Sequence, residues 1–466
     1  MRSLTLSFAI GLVLFGATTV ASAQNLRLNS QTYFRSFVRP GATDVSLHSP
    51  FYEFVQLRAG NIDNSGISVR SSMWIQLESA DVVGRDRVAG DVNVFLLEYR
   101  AHHKSKLRGL QFRVGRQFIS AGPTVMQQID GGYFSYDSPW GLSVAAYGGL
   151  TTGVRFTRQP VSIVSNDLMG HWMTGARLAY HYSNYFNLGV SFRHQRMEDL
   201  VAHEEIGWDF VSTPISRLTL ISDGSVELIT SQIKTARAIA ELHIIHGLSA
   251  SVGYRYYSPD LYLPRTSVFS VFADTQHQEI SGEVHWAPYR WLSITGEAGA
   301  VLHPETCTSG DMSGEECDSS EAELKAVLRA DFRLNRKYPH GATVELERLG
   351  APEGGFWRFR LAGYSSLMDR LSVMADVDFA IRDDHHEGSA WVKPENQTRW
   401  SFTGSAYMSY ALMNNLSMML GGQIMVTPLY SQAGSFMTRL SWAFDKDFKS
   451  KGVEVKRAAA TMGGTL

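Results

Sequence analysis

From residue 24 onward apolar and polar residues alternate along most of the chain, and nowhere more plainly than between Leu371 and Phe444. In the run Leu371–Arg382 one face carries Leu371, Val373, Ala375, Val377, Phe379 and Ile381, and the other carries Ser372, Met374, Asp376, Asp378, Ala380 and Arg382. A period of two puts successive side chains on opposite sides of an extended strand, so the two sides meet different media. The next run sets Trp400, Phe402, Gly404, Ala406, Met408 and Tyr410 against Arg399, Ser401, Thr403, Ser405, Tyr407 and Ser409, and the runs 416–426 and 436–444 repeat the rule. Links between these strands alternate in length: 368–370 and 413–415 are tight, whereas 383–398 is long and polar.

The alternation starts at once after residue 24, with Leu26, Leu28, Ser30, Thr32 and Phe34 opposed to Arg27, Asn29, Gln31, Tyr33 and Arg35, and no separate domain fits before it. Strand-like runs follow at 51–59, 67–78, 91–100 and 110–117, and after a loop at 118–128 a return strand opens near Asp130. The middle of the chain is less regular, with runs at 171–182, 186–195, 204–212 (turning at Thr213-Pro214) and 217–229. Regularity returns at 236–244 and continues to residue 444, so the chain reads as an all-β antiparallel up-and-down barrel of about 18–22 strands, with 22 the best count. A barrel that wide cannot be filled by its own side chains and encloses water or a plug. The loop 258–270 is long enough to fold inward as a constriction or outward as a recognition surface.

Composition narrows this further. Residues 1–23 combine Arg2, an apolar run from Leu4 to Val20 and Ala21-Ser22-Ala23, the pattern of a signal peptide cleaved after Ala23. Beyond it no apolar run approaches the roughly 20 residues of a spanning helix, so a membrane-embedded chain must be a closed barrel. The formal net charge is -2, which argues against a nucleic-acid partner, and charged residues make up only 19% beside 11% aromatics, a balance that suits a lipid-facing surface with aromatic girdles. Cys307 and Cys317 flank a polar stretch in the barrel's long-loop set; in an oxidising compartment a disulfide pinning that loop is favoured over two free thiols.

The tight turns, longer opposite loops and a final strand ending on Trp442 and Phe444 resemble the bacterial outer-membrane barrels of the porin-like superfamily. Locally, a strand ending in Gly115-Arg116-Gln117, a loop and a return strand from Asp130 resemble porin-type barrels that include alginate-export channels. That resemblance implies an outer-membrane channel and no particular substrate. Gly115 relieving crowding, with Arg116 pairing locally, is the alternative reading of the motif.

On the polar face the expected pore-lining residues are Arg27, Arg35, Arg70, Arg113, Arg237, Glu241, Arg255, Glu279, Glu283, Arg329, Arg358, Arg360, Asp376, Asp378, Arg399 and Arg439. Both signs are present, so selectivity is expected to be modest, with many pairs satisfying each other across strands. The first and last strands lean to arginine and closure brings them together, a basic track for an anionic solute or polymer. His102-His103 and Asp383-Asp384-His385-His386-Glu387 lack ligand spacing on a rigid element, and no nucleophile motif stands out, so neither a metal, a cofactor nor catalysis is expected. The leading expectation is a water-filled, mixed-charge channel for hydrophilic solutes; the alternatives are a polysaccharide exporter and a non-conducting anchor or scaffold. Expected partners are outer-membrane lipid and, through the basic tail at 445–466, periplasmic export or envelope components, with a homo-oligomer left open.

Overall fold

The computed structural model describes residues 25–40, 45–62, 66–77, 88–101, 105, 107–124, 126–152, 171–183, 185–197, 199–258, 276–302, 306–307, 317–318, 322–335, 337–350, 355–383, 400–427 and 430–447. The signal-peptide and tail expectations, the loop 258–270, and both histidine-rich runs fall wholly or mostly outside them.

Twenty-two strands form the wall. They are β1 (Asn25–Pro40), β2 (Phe51–Ile62), β3 (Ile67–Leu77), β4 (Val88–Arg100), β5 (Leu110–Ser120), β6 (Met126–Asp137), β7 (Leu142–Thr152) and β8 (His171–Tyr182). Next come β9 (Phe186–Met197), β10 (Leu200–Ile215), β11 (Leu218–Glu227), β12 (Gln232–Ile245), β13 (Leu248–Tyr257), β14 (His277–Tyr289) and β15 (Leu292–Leu302). The wall ends with β16 (Ala322–Asn335), β17 (Pro339–Leu349), β18 (Phe356–Met368), β19 (Leu371–Arg382), β20 (Trp400–Met413), β21 (Leu416–Thr427) and β22 (Tyr430–Asp447). Each pairs antiparallel with its sequence neighbours, and β1 closes on β22 from Asn25↔Asp447 to Phe37↔Ser435. Closure leaves no free edge, which is what hydrocarbon demands of a sheet. With strands about 4.8 Å apart and tilted about 40°, such a wall is about 40 Å across.

Residues paired across two strands share a face, so the register identifies the inner face all the way round. Its anchor is Ser191 on β9, whose Oγ accepts a hydrogen bond from Thr124 Oγ1 at 3.1 Å. Thr124 lies in the β5–β6 link, and only the barrel interior lets that link reach β9. From there the row runs Arg193↔Glu205 and Asp209↔Asp223↔Arg237↔Arg255↔Glu279 on one side, and Gln195↔Met173↔Gly149↔Gly131↔Gly115↔Leu96↔Arg70↔Arg58 on the other. The opposite rows carry the exposed apolar side chains, among them Leu188, Val190, Phe192, Ile280, Val284, Leu324, Leu328, Phe359 and Leu361.

Three local features differ from the sequence expectation. The loop expected at 118–128 is mostly strand, since β5 runs to Ser120 and β6 begins at Met126. No turn occurs at Thr213-Pro214: β10 runs on to Ile215, with a register shift between Ser212 and Ile215 that accommodates a residue unable to donate to the ladder. The last strand continues past Phe444 to Asp447, because Asp445, Lys446 and Asp447 still pair with Arg27, Leu26 and Asn25.

Candidate functional site

The interior has a filled sector and an open one. The filled sector starts where β4 and β5 part: they pair only from Phe95↔Arg116 to Arg100↔Gln111. The parting falls at Gly115, whose φ of +118° is reserved for glycine and whose added Cβ would sit 2.2 Å from the Phe95 carbonyl oxygen. Beyond it the tip of the β5–β6 hairpin leans into the barrel. Arg116 fastens the base of the lean, with Nε and Nη2 donating to the two carboxylate oxygens of Asp130 at 2.8 Å each, and Nη1 donating to Asp91 Oδ1 at 3.2 Å and to the Val92 carbonyl at 3.0 Å. Gln128 donates to the Asn93 carbonyl across the same gap. Backbone groups of β4 left without a strand partner are thus met by side chains, as burial requires.

The leaning hairpin buries Ile119, Ala121 and Ile129 against Tyr147 and Met173, with Tyr133 alongside, an apolar core inside the barrel. Its tip packs on β9 and β10, where a Cβ on Gly207 would meet Thr124 at 2.7 Å and Pro123 at 2.9 Å. Next to Ser191 lies a buried ionic knot. Glu205 Oε1 accepts from Arg193 Nη2 at 2.8 Å and from Lys234 Nζ at 2.6 Å, and His203 Nδ1 is 3.4 Å from Glu227 Oε2. Lys234 reaches it because β12 bulges there, pairing Thr235 with Ser225 but Ile233 with Val226 and so aiming Lys234 inward. Pattern reading did not single out this knot; only the bulge and the register assemble it. His203, Glu205 and Glu227 bring ligand-type atoms within 4.8 Å of one another. Arg193 and Lys234 already supply the charge that Glu205 needs, so the donor set is poorly suited to a further cation.

The arms that lean inward are about four residues long, about 14 Å of strand. That cannot cross an interior about 40 Å wide. The inner face from β12 round to β1 therefore stands clear of the hairpin, and it carries ion pairs between neighbouring strands. They include Arg237 with Asp223 (2.5 Å), Arg255 with Glu279 (3.7 Å), Lys325 with Glu297 (2.8 Å), Arg358 with Asp378 and Glu347 (2.5 and 3.3 Å) and Arg360 with Asp376 (2.6 Å). Arg329 pairs with Asp331 on its own strand at 3.0 Å.

The register puts Arg27, Arg35, Arg70, Arg113, Arg237, Glu241, Arg255, Glu279, Glu283, Arg329, Arg358, Arg360, Asp376, Asp378 and Arg439 on the inner row. Arg399 lies outside the described residues. Arg70 and Arg113 belong to the filled side: Arg70 Nη2 forms an ion pair with buried Glu98 at 2.7 Å, and the Arg113 guanidinium lies 3.9 Å over the Tyr133 ring. Arg116 is not on the inner row and pairs locally. Cys307 and Cys317 stand opposite each other in the short ribbon Thr306–Cys307 with Cys317–Asp318.

At the closing seam the wall changes character. The described inner rows of β21, β22, β1 and β2 carry Arg27, Arg35, Arg58 and Arg439, while the acidic side chain described among them is Asp445, 3.2 Å from Arg27 at the terminal end. Barrel closure therefore makes a cationic strip from residues far apart in sequence.

No protein-family model matches the chain, and no curated protein matches it in sequence. Its fold is similar to that of a mutant ferric enterobactin receptor, PfeA, from Pseudomonas aeruginosa (TM-score 0.55, 9% identity, covering 90% of this chain and 80% of that one). It is also similar to the siderophore receptor PirA from the same organism (TM-score 0.51, 10% identity, 90% and 80%). The outer membrane protein OpdK, again from Pseudomonas aeruginosa, aligns at a TM-score of 0.41 with 10% identity over 90% of this chain and 99% of that one. At these identities the likeness is one of fold: a closed, antiparallel, up-and-down β-barrel.

Proposed function

We propose that this barrel is a channel that passes hydrophilic solutes through a water-filled, mixed-charge lumen. The observation that carries the reading is the inner wall from β12 to β22. Its rows are charged and hydroxylated and its ion pairs are part-exposed, while the rows behind them are apolar. Ionisable side chains avoid hydrocarbon, so such a wall is stable only against water. Each exposed pair contributes about 0–1 kcal/mol, so the pairing serves neutrality more than stability.

A nearly neutral wall discriminates weakly by charge, and the cationic strip at the seam tips that balance toward anions. The purified, folded protein in planar bilayers should give stepwise conductance increments, and a salt gradient should give a reversal potential of modest anion preference. Folded protein that never conducts would remove the channel reading; cation preference would remove the role of the strip. The leaning hairpin narrows one side of the lumen, so the passage runs along the opposite side.

A further inference from the structure

Within the cationic strip the inner faces of β1 and β2 form a concavity of about 450 Å³, in the range of small-ligand sites. Three chemical kinds dominate its lining, beside Pro50 and Met437. Tyr33, Tyr52 and Phe54 present aromatic rings, with Tyr33 edge-on to Phe54 at 5.5 Å and Tyr52 stacked on Phe54 at 6.3 Å, while Phe37 is stacked on His48 at 5.5 Å. Asn29, Gln31 and Gln56 present amides. Arg35 lines it too, its guanidinium 5.1 Å over the Phe37 ring, and Arg439 stands opposite Tyr33 on β22.

Each kind recognises one part of a single ligand class. Flat aromatic faces stack on the C–H face of a pyranose ring, side-chain amides donate to and accept from ring hydroxyls, and guanidinium groups pair with carboxylates in a two-point geometry. A purely apolar solute leaves the amides and arginines unmatched, and a bare inorganic anion leaves the rings unmatched. We propose that this concavity is a binding subsite for acidic saccharides, sugars bearing carboxylates, on the inner wall. The proposal deepens the channel reading, on which it rests for access from water.

The test measures binding and conduction on one preparation of the full chain in detergent and in bilayers. Calorimetric titration with trigalacturonate, maltotriose and acetate separates ring and charge. The expected order is trigalacturonate tightest, maltotriose weaker by about tenfold, and acetate weakest, a charge-assisted two-point pair being strong enough for that gap. The double variant Arg35→Gln with Arg439→Gln should bring trigalacturonate down to the level of maltotriose and leave maltotriose unchanged. Tyr33→Ser with Phe54→Ser should weaken both sugars. Heat-modifiable electrophoretic mobility checks that each variant is folded, and the arginine pair, lying on a wet face, decides the matter if the aromatic pair fails to fold. Equal affinity for all three probes, or a trigalacturonate affinity that the arginine variant leaves unchanged, overturns the subsite. If conductance appears without saccharide binding, the subsite alone fails; if neither appears, the channel reading fails as well.

Discussion

At the scale of single residues, two positions hold the filled sector in place. Gly115 permits the bend where β4 and β5 part, and any side chain there is strained both by its positive φ and by the Phe95 carbonyl. Gly115→Val should therefore lower the yield of heat-modifiable, folded protein, whereas Gly132→Val, on the next strand with open space around it, should not. Glu205 is the acceptor for two buried cations. Glu205→Ala removes the acceptor that Arg193 and Lys234 share, leaving Glu227 as the remaining carboxylate of the knot, and should cost about 3–5 kcal/mol, read as a lower midpoint in urea unfolding. The role of Gly115 was legible in part, as relief of crowding beside a locally paired Arg116, and that of Glu205 was not. Gly115 stood out in a porin-like motif, but its backbone angle is a property of the parting strands. Glu205 sat in an irregular run, and its partner Lys234 is aimed inward by a bulge that alternation cannot reveal.

At the scale of elements, the strands were legible because a ribbon between lipid and water must alternate, and β19 and β20 follow the period without a break. What was not legible is which hairpin enters the barrel. The loop 258–270 has the length for it, yet among the described residues it is the short β5–β6 link that does so. The reason is that Ile119 and Ile129 occupy inner positions where water would otherwise stand, and an apolar inner pair gains by folding onto Tyr147 and Met173. Replacing 121–125 by Asn-Gly shortens that tip, and single-channel conductance should rise while the protein still folds. Unchanged conductance would show that the hairpin does not narrow the passage. The cysteine ribbon gives a separate expectation: a disulfide between Cys307 and Cys317, seen as a mobility shift on reduction, with folding of the wall unaffected because the ribbon lies outside the sheet that forms the wall.

At the scale of the whole molecule, closure does what no local segment can. Bringing β1 beside β22 assembles Arg35 and Arg439, some four hundred positions apart, into one cationic strip, and the alternation already visible in sequence predicts that meeting once the sheet is taken to close. A wall of this kind requires the two rows of each strand to face different media. Spin labels placed one at a time along β19 test this directly, through collision with oxygen, which partitions into lipid, and with a water-soluble nickel chelate. Labels at 373, 377 and 379 should favour oxygen, and labels at 374, 376 and 378 should favour nickel, in strict alternation. Equal accessibility along the strand, or nickel preference at 377 and 379, would contradict a barrel with lipid outside and water within.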